Sequence, residues 1–168
     1  RTHGLLTKYT LVHNTELVSN GYLKYQTKRH QLNQTKANDS RYIELGTGFT
    51  YKDAQTMMYG MNLIYANEKQ FNHTANNTID KQSLNIKANI LHTLTSNFTL
   101  SPSISYKYSD YQAIDRSDNE YKLALTGTYS HSSTLLFQVV VDDTRVYSNS
   151  NNDEYKKNTF TFNLIKAF

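Results

Sequence analysis

Apolar and polar side chains alternate with a period of two over nine segments of about ten to thirteen residues, and the connections between them alternate short with long. Together these predict an all-β chain, an antiparallel up-and-down transmembrane β-barrel with about nine strands here, as part of a larger even-numbered ring. Composition points the same way. Leu, Ile, Val and Phe make up about 23% of the 168 residues, close to the ~20% level below which chains rarely build a soluble core. No run approaches the ~18 apolar residues of a spanning helix, which excludes a helical membrane protein.

The segments follow in order, as one domain over 1–168. Segment 4–13 alternates on Leu5, Tyr9 and Leu11, and 16–28 on Leu17, Leu23 and Tyr25. Segment 41–52 sets Ile43, Leu45, Phe49 and Tyr51 against Glu44, Gly46, Gly48 and Lys52, and 55–68 carries Met57, Tyr59, Met61, Leu63 and Tyr65. Segment 81–93 sets Leu84, Ile86, Ala88 and Ile90 against Asn85, Lys87 and Asn89. The cleanest is 97–109, with Phe98, Leu100, Pro102, Ile104, Tyr106 and Tyr108 on one side and Ser, Thr and Lys107 on the other. Segments 119–130 (Tyr121, Leu123, Leu125, Tyr129), 134–145 (Leu135, Phe137, Val139, Val141) and 158–168 (Phe160, Phe162, Leu164, Phe168) complete the set.

Short links at 13–16, 52–55, 93–97 and 130–133 take turns with long polar ones at 30–41, 67–80, 110–119 and 147–157. Sorting loops by end is the pattern of a transmembrane barrel, with tight periplasmic turns and long outer loops. Ten residues at ~3.3 Å each, tilted by ~40°, rise about 25 Å, the height of the apolar band of such a barrel. On the apolar side, Tyr51, Phe98, Tyr129 and Phe168 fall near the short-turn end, and Tyr65, Tyr106, Tyr108, Tyr121 and Phe160 near the long-loop end, as two girdles would. Pro102 lacks an amide hydrogen inside a paired strand, so a bulge is expected there.

Phe160, Phe162, Leu164 and the final Phe168 alternate up to the carboxylate. This resembles the last strand of Gram-negative outer-membrane barrels, and the resemblance implies recognition of that strand by the BAM assembly machinery. Lys166 departs from the pattern, where the family carries another hydrophobic residue; one step from the boundary a Lys can snorkel to water. Counting back through the loops makes the first and last strands run the same way. With nine strands this gives an odd count, so the chain, which begins at Arg1 without Met or a signal-like segment, is expected to be the C-terminal part of a bigger barrel.

The polar side of the alternation is expected to line the lumen. Its pore-lining candidates are Lys24, Glu44, Asn85, Lys87, Lys107, Lys122 and Asp142, with Lys8, Lys28, Asn62, Asn89 and Gln138 beside them. Lys outnumbers acid there, which favours a channel or export pore with a mild anion preference. The competing expectation is a non-conducting barrel that anchors an assembly or binds a partner, periplasmic or at the surface, through its loops; a third is a soluble all-β binding domain. Lipid and lipopolysaccharide are the expected surroundings.

Other chemistry has little support. Absence of Cys excludes disulfide scaffolds and thiol chemistry, and a net charge of +4, evenly spread, gives no nucleic-acid footprint. No metal or cofactor site is expected. Outer-membrane phospholipases and lipid A deacylases carry a His two residues before a Ser-Asn pair; Ser19-Asn20-Gly21 has Leu17 at that place, His13 is too far back to supply that spacing, and no local base is expected, which leaves only a triad assembled from distant strands. The runs 115–120 and 149–154 lack calcium-loop spacing and are expected to be solvated loop.

Overall fold

The computed structural model describes residues 2–29, 39–71 and 80–166. They form β1 (Thr2–Val12), β2 (Leu17–Lys28), β3 (Ser40–Ala54), β4 (Met57–Gln70), β5 (Lys81–Thr95), β6 (Phe98–Tyr111), β7 (Arg116–Ser132), β8 (Leu135–Ser148) and β9 (Tyr155–Lys166). Each strand pairs antiparallel with the next, and sheet order follows chain order. The fold is therefore the all-β up-and-down meander that the alternation predicts. Among the described residues β1 and β9 do not pair with each other, and the sheet keeps two edges.

Register carries the apolar residues onto one face. One row runs Leu23, Leu45, Tyr65, Leu84, Tyr108 across five strands. Another runs Tyr59, Phe49's neighbour Tyr51 and Leu17 at the short-turn end. This face is the open one: Leu45 is 56% exposed, Ile104 57% and Phe160 70%. The opposite, polar face is the sheltered one, with Asp118 at 8% and Thr144 at 9%. Among the described residues the only buried apolar side chains are Ala66 and Val146. A water-soluble sheet protein has the reverse arrangement, because transfer of a Leu or Phe out of water is worth ~1.5–3 kcal/mol. Polar side chains that shelter one another while apolar ones splay outward are what a sheet curled with its polar side inward produces.

Two cross-strand contacts explain glycines within the wall. The Tyr22 ring lies over its partner Gly46 on the polar face, and the Tyr9 ring over Gly21 on the apolar face; a Cβ at either glycine would sit inside the ring's van der Waals envelope. An aromatic ring laid across a strand glycine restores the packing that the glycine lacks.

Several expectations need correcting. β6 and β7 run on past the expected ends, so the connection 112–115 is no longer than the turn at 13–16, and loop length is not strictly sorted there. Tyr111 pairs with Arg116 across the strands, and the Arg116 guanidinium lies 4.5 Å from the Tyr111 ring centroid, which holds the hairpin closed. Most of the run 115–120, read as solvated loop, is therefore strand. The other connections keep the contrast, with 55–56, 96–97 and 133–134 against 29–39, 71–80 and 149–154. Because β9 starts at Tyr155, Phe160 is aligned with Val141 and lies mid-wall instead of at the long-loop end.

The bulges also lie elsewhere than expected. Asp53, Leu94 and His131 are each inserted just before a two-residue turn, at the short-turn rim. No described residue other than glycine has positive φ, nor does any glycine, so these hairpins do not use the Asn-Gly type of turn, and the extra residue supplies local twist. At Pro102 pairing with β5 lapses between Asn89↔Ser103 and His92↔Leu100, yet the register is the same on both sides. Ser130 N–H donates to Asn97 O at 2.8 Å, which fixes the alternation along β6 and turns the Pro102 nitrogen toward β5. The missing donor thus interrupts one ladder, while Pro102 stays opposite Leu125 in the other. Beside this lapse the small side chains Ala88 and Pro102 leave an apolar hollow of about 410 Å³ on the outward face, bounded by Phe49, Met61, Ile104 and Leu123.

Two outcomes are expected from denaturant unfolding in detergent micelles. Gly46→Val should cost ~1–3 kcal/mol through overpacking, and much less in a Tyr22→Ala background; an equal cost in both backgrounds would show that the ring contact is not the cause. Leu125→Arg, on the apolar face mid-wall, should cost ~2–4 kcal/mol, and Thr126→Arg, on the polar face beside it, well under half as much. Equal costs would mean that the two faces meet the same medium.

Candidate functional site

The polar face is the candidate site. Strand pleating sends every second residue to it, and the register brings all seven expected lining residues there: Lys24 opposite Glu44, Asn85 opposite Lys107, Lys87 one pleat from Asn85, Lys122 opposite Thr144, and Asp142 opposite Ala124.

Charges on this face oppose charges of the other sign. Lys24 faces Glu44, Glu68 faces Lys81, and Lys107 faces Glu120 in the ladder, each an attractive cross-strand arrangement. Closer ion pairs form on a diagonal between β7 and β8 and from β2 across β3 to β4. Lys122 Nζ lies 3.2 Å from Asp142 Oδ1, and Lys28 Nζ 2.9 Å from Glu68 Oε1, which also accepts from Ser40 Oγ at 2.9 Å. Tyr42 donates its hydroxyl hydrogen to Glu44 and lies under two ammonium groups, with Lys24 Nζ 5.4 Å and Lys28 Nζ 5.9 Å from its ring centroid. Asn85 Oδ1 is buried with no hydrogen-bond partner among the described residues.

A second knot, near the long-loop end, was not expected. Arg116 binds Asp118 and Asp153, each at 2.7 Å, and Ser148 Oγ donates to Asp118 Oδ1 at 2.7 Å. It ties β7, β8 and the 3₁₀ turn Asn151–Asp153 together. The signal for it was present as Arg116, Asp118 and Glu120 at spacings of two, but density of polar residues made the run look like loop. After these pairs are made, cations remain: among the described residues Lys8, Lys52, Lys87 and Lys157 form no ion pair on this face.

Ser19 requires a correction. His13 Nε2 lies 2.9 Å from Ser19 Oγ, although the local sequence pattern offered no base at the expected spacing. The β1–β2 turn folds the chain back, and Asn14 Oδ1 holds it by accepting from the backbone N–H groups of Glu16 and Leu17. His13 then stands diagonally across from Ser19. Among the described residues nothing else hydrogen-bonds the His13 ring, so the pair lacks the third group that orients a catalytic imidazole.

Of the terminal aromatic pattern, Phe160, Phe162 and Leu164 point out from the apolar face of β9, and Phe162 packs against Phe137 with ring centroids 6.4 Å apart. Phe168 lies outside the described residues. Of the residues expected in the girdles, Tyr51 stacks on Tyr59 at 6.5 Å and Tyr129 packs against Phe137 at 6.4 Å near the short-turn end, and Tyr106 packs against Tyr121 at 5.1 Å and Tyr121 against Tyr147 at 6.0 Å near the long-loop end.

Among curated proteins none matches the chain. A family model described as Putative beta-barrel porin 2 matches residues 70–167, from the end of β4 through β9 and so more than half of the chain. With the inverted distribution of apolar and polar faces, that match places the chain in the Putative beta-barrel porin 2 family.

Proposed function

We propose that this chain forms part of the wall of an outer-membrane pore of a Gram-negative bacterium that passes small anionic solutes or an exported anionic chain. The observation that carries this reading is the surplus of cations on the polar face. Lys8 on β1, Lys87 on β5 and Lys157 on β9 are spread across the whole sheet without an acid to neutralise them. In a tunnel with low-dielectric walls such charges raise the local concentration of anions.

The topology supports a larger ring. β1 and β9 run in the same direction, so an antiparallel closure needs an odd number of further strands between them. Those strands would also satisfy the edge N–H and C=O groups, which lipid cannot do. In this reading the outward Phe160, Phe162 and Leu164 of β9 belong to the signal that the assembly machinery recognises.

The reading is tested in planar bilayers with the full-length protein under a KCl gradient. The reversal potential should indicate modest anion selectivity, and Lys87→Glu should move it toward cations without closing the channel. Absence of conductance, or a reversal potential unmoved by Lys87→Glu, would instead favour the non-conducting anchoring barrel, which the complementary charges Lys24–Glu44 and Lys107–Glu120 also suit. Ser19 has no catalytic part here: a fluorophosphonate probe should leave it unlabelled, and labelling lost in His13→Ala would contradict this.

A further inference from the structure

On the polar face opposed charges are of opposite sign, but the apolar face breaks that rule at one end. Across the described ladder cations stand directly opposite cations in two places, Arg41↔Lys69 on β3 and β4 and Arg145↔Lys156 on β8 and β9. Both pairs lie on the apolar face at its long-loop end. Arg41 is one pleat beyond Ile43, and Lys69 two pleats beyond Tyr65. The short-turn end of the same face has no opposed cations among the described residues.

Like charges set opposite each other destabilise a sheet unless something neutralises them. At the second pair the chain itself does so in part: Asp143 reaches Arg145 at 2.9 Å and Lys156 at 3.6 Å, one carboxylate between two cations. At the first pair there is no such partner. Neither Arg41 nor Lys69 forms an ion pair among the described residues. Among the described residues nothing supplies the counter-anion, and a site just above an apolar band facing lipid is at the depth of headgroups.

We propose that Arg41 and Lys69 form a binding site for the phosphate of an outer-leaflet lipid headgroup, with Arg145 and Lys156 a second, half-neutralised position on the same rim. The inference rests on the membrane-spanning reading of the wall and not on conduction. Arg supplies a planar fork that can hold two phosphate oxygens, Lys a point charge beside it, and the apolar rows below take the acyl chains.

The test uses the full-length protein reconstituted into vesicles containing either bisphosphorylated lipid A or its dephosphorylated form, with the lipid retained after mild detergent extraction measured by mass spectrometry. Wild type should retain the phosphorylated form preferentially. Arg41→Gln with Lys69→Gln should lower that retention about 30-fold, two cations each contributing about fivefold near an anionic headgroup. Lys69→Arg should keep it, and Lys87→Gln with Lys107→Gln, an equal loss of charge on the other face, should leave it unchanged. Heat-modifiable migration on gels reports that each variant is folded. Equal retention of both lipids by wild type, equal loss in both double variants, or displacement of the lipid by millimolar inorganic phosphate alone would overturn the proposal. A wild-type chain absent from the detergent-extracted membrane fraction would bring down the spanning reading first, and the rim site with it.

Discussion

The structure depends on what covers the apolar face. Nine strands turn most of their aliphatic and aromatic side chains to one side, and no second layer of the described protein lies over them. In water such a surface, far larger than the few hundred Å² that monomers tolerate, would drive association. In hydrocarbon it costs nothing, and the medium then imposes a second condition: every backbone donor and acceptor at that depth must be paired within protein. The antiparallel ladder meets it along seven inner strands, and Pro102 shows how narrowly. One missing N–H interrupts pairing locally on the β5 side, while the register on either side of it is preserved.

Because the apolar side is given over to the solvent, specificity has to come from the other face and from the rims. The polar face is knit by Lys122–Asp142, Lys28–Glu68 and the Arg116–Asp118–Asp153 knot, and by tyrosine rings laid over glycine or under ammonium groups. These contacts link neighbouring strands at different heights and fix register where hydrophobic packing cannot, since lipid adapts to any arrangement of side chains. A slip of one residue would put Lys87 into hydrocarbon and Ile86 into the interior, so pleat and medium together lock the pairing.

Opposed charges mark the boundary between the two environments. Inside, cross-strand partners are complementary and largely self-sufficient, with a remainder of lysines. Outside, at the long-loop end only, cations face cations, and an arrangement the protein could have avoided persists at Arg41 and Lys69 and again at Arg145 and Lys156. The same residue types thus have different meanings on the two faces. The Putative beta-barrel porin 2 match over residues 70–167 covers β5 to β9 with the Arg145–Lys156 pair, and leaves β1 to β3 and all of β4 but Gln70 outside it.

The sequence by itself determined the strand number, the antiparallel order and the assignment of each side chain to a face, because a period of two is a local property of the pleated backbone and needs no knowledge of partners. Lys24, Glu44, Asn85, Lys87, Lys107, Lys122 and Asp142 were all found on one face for that reason. Only the tertiary structure decided where strands stop and which charges meet. Arg116 and Asp118 read as loop because polar density hid their alternation, and only pairing with Tyr111 and Ser109 makes them strand. The His13–Ser19 contact was invisible for a related reason: a turn brings together residues whose separation along the chain says nothing of their distance. Opposition of Arg41 with Lys69 follows from register, a relation between segments about thirty residues apart, and no local pattern encodes it.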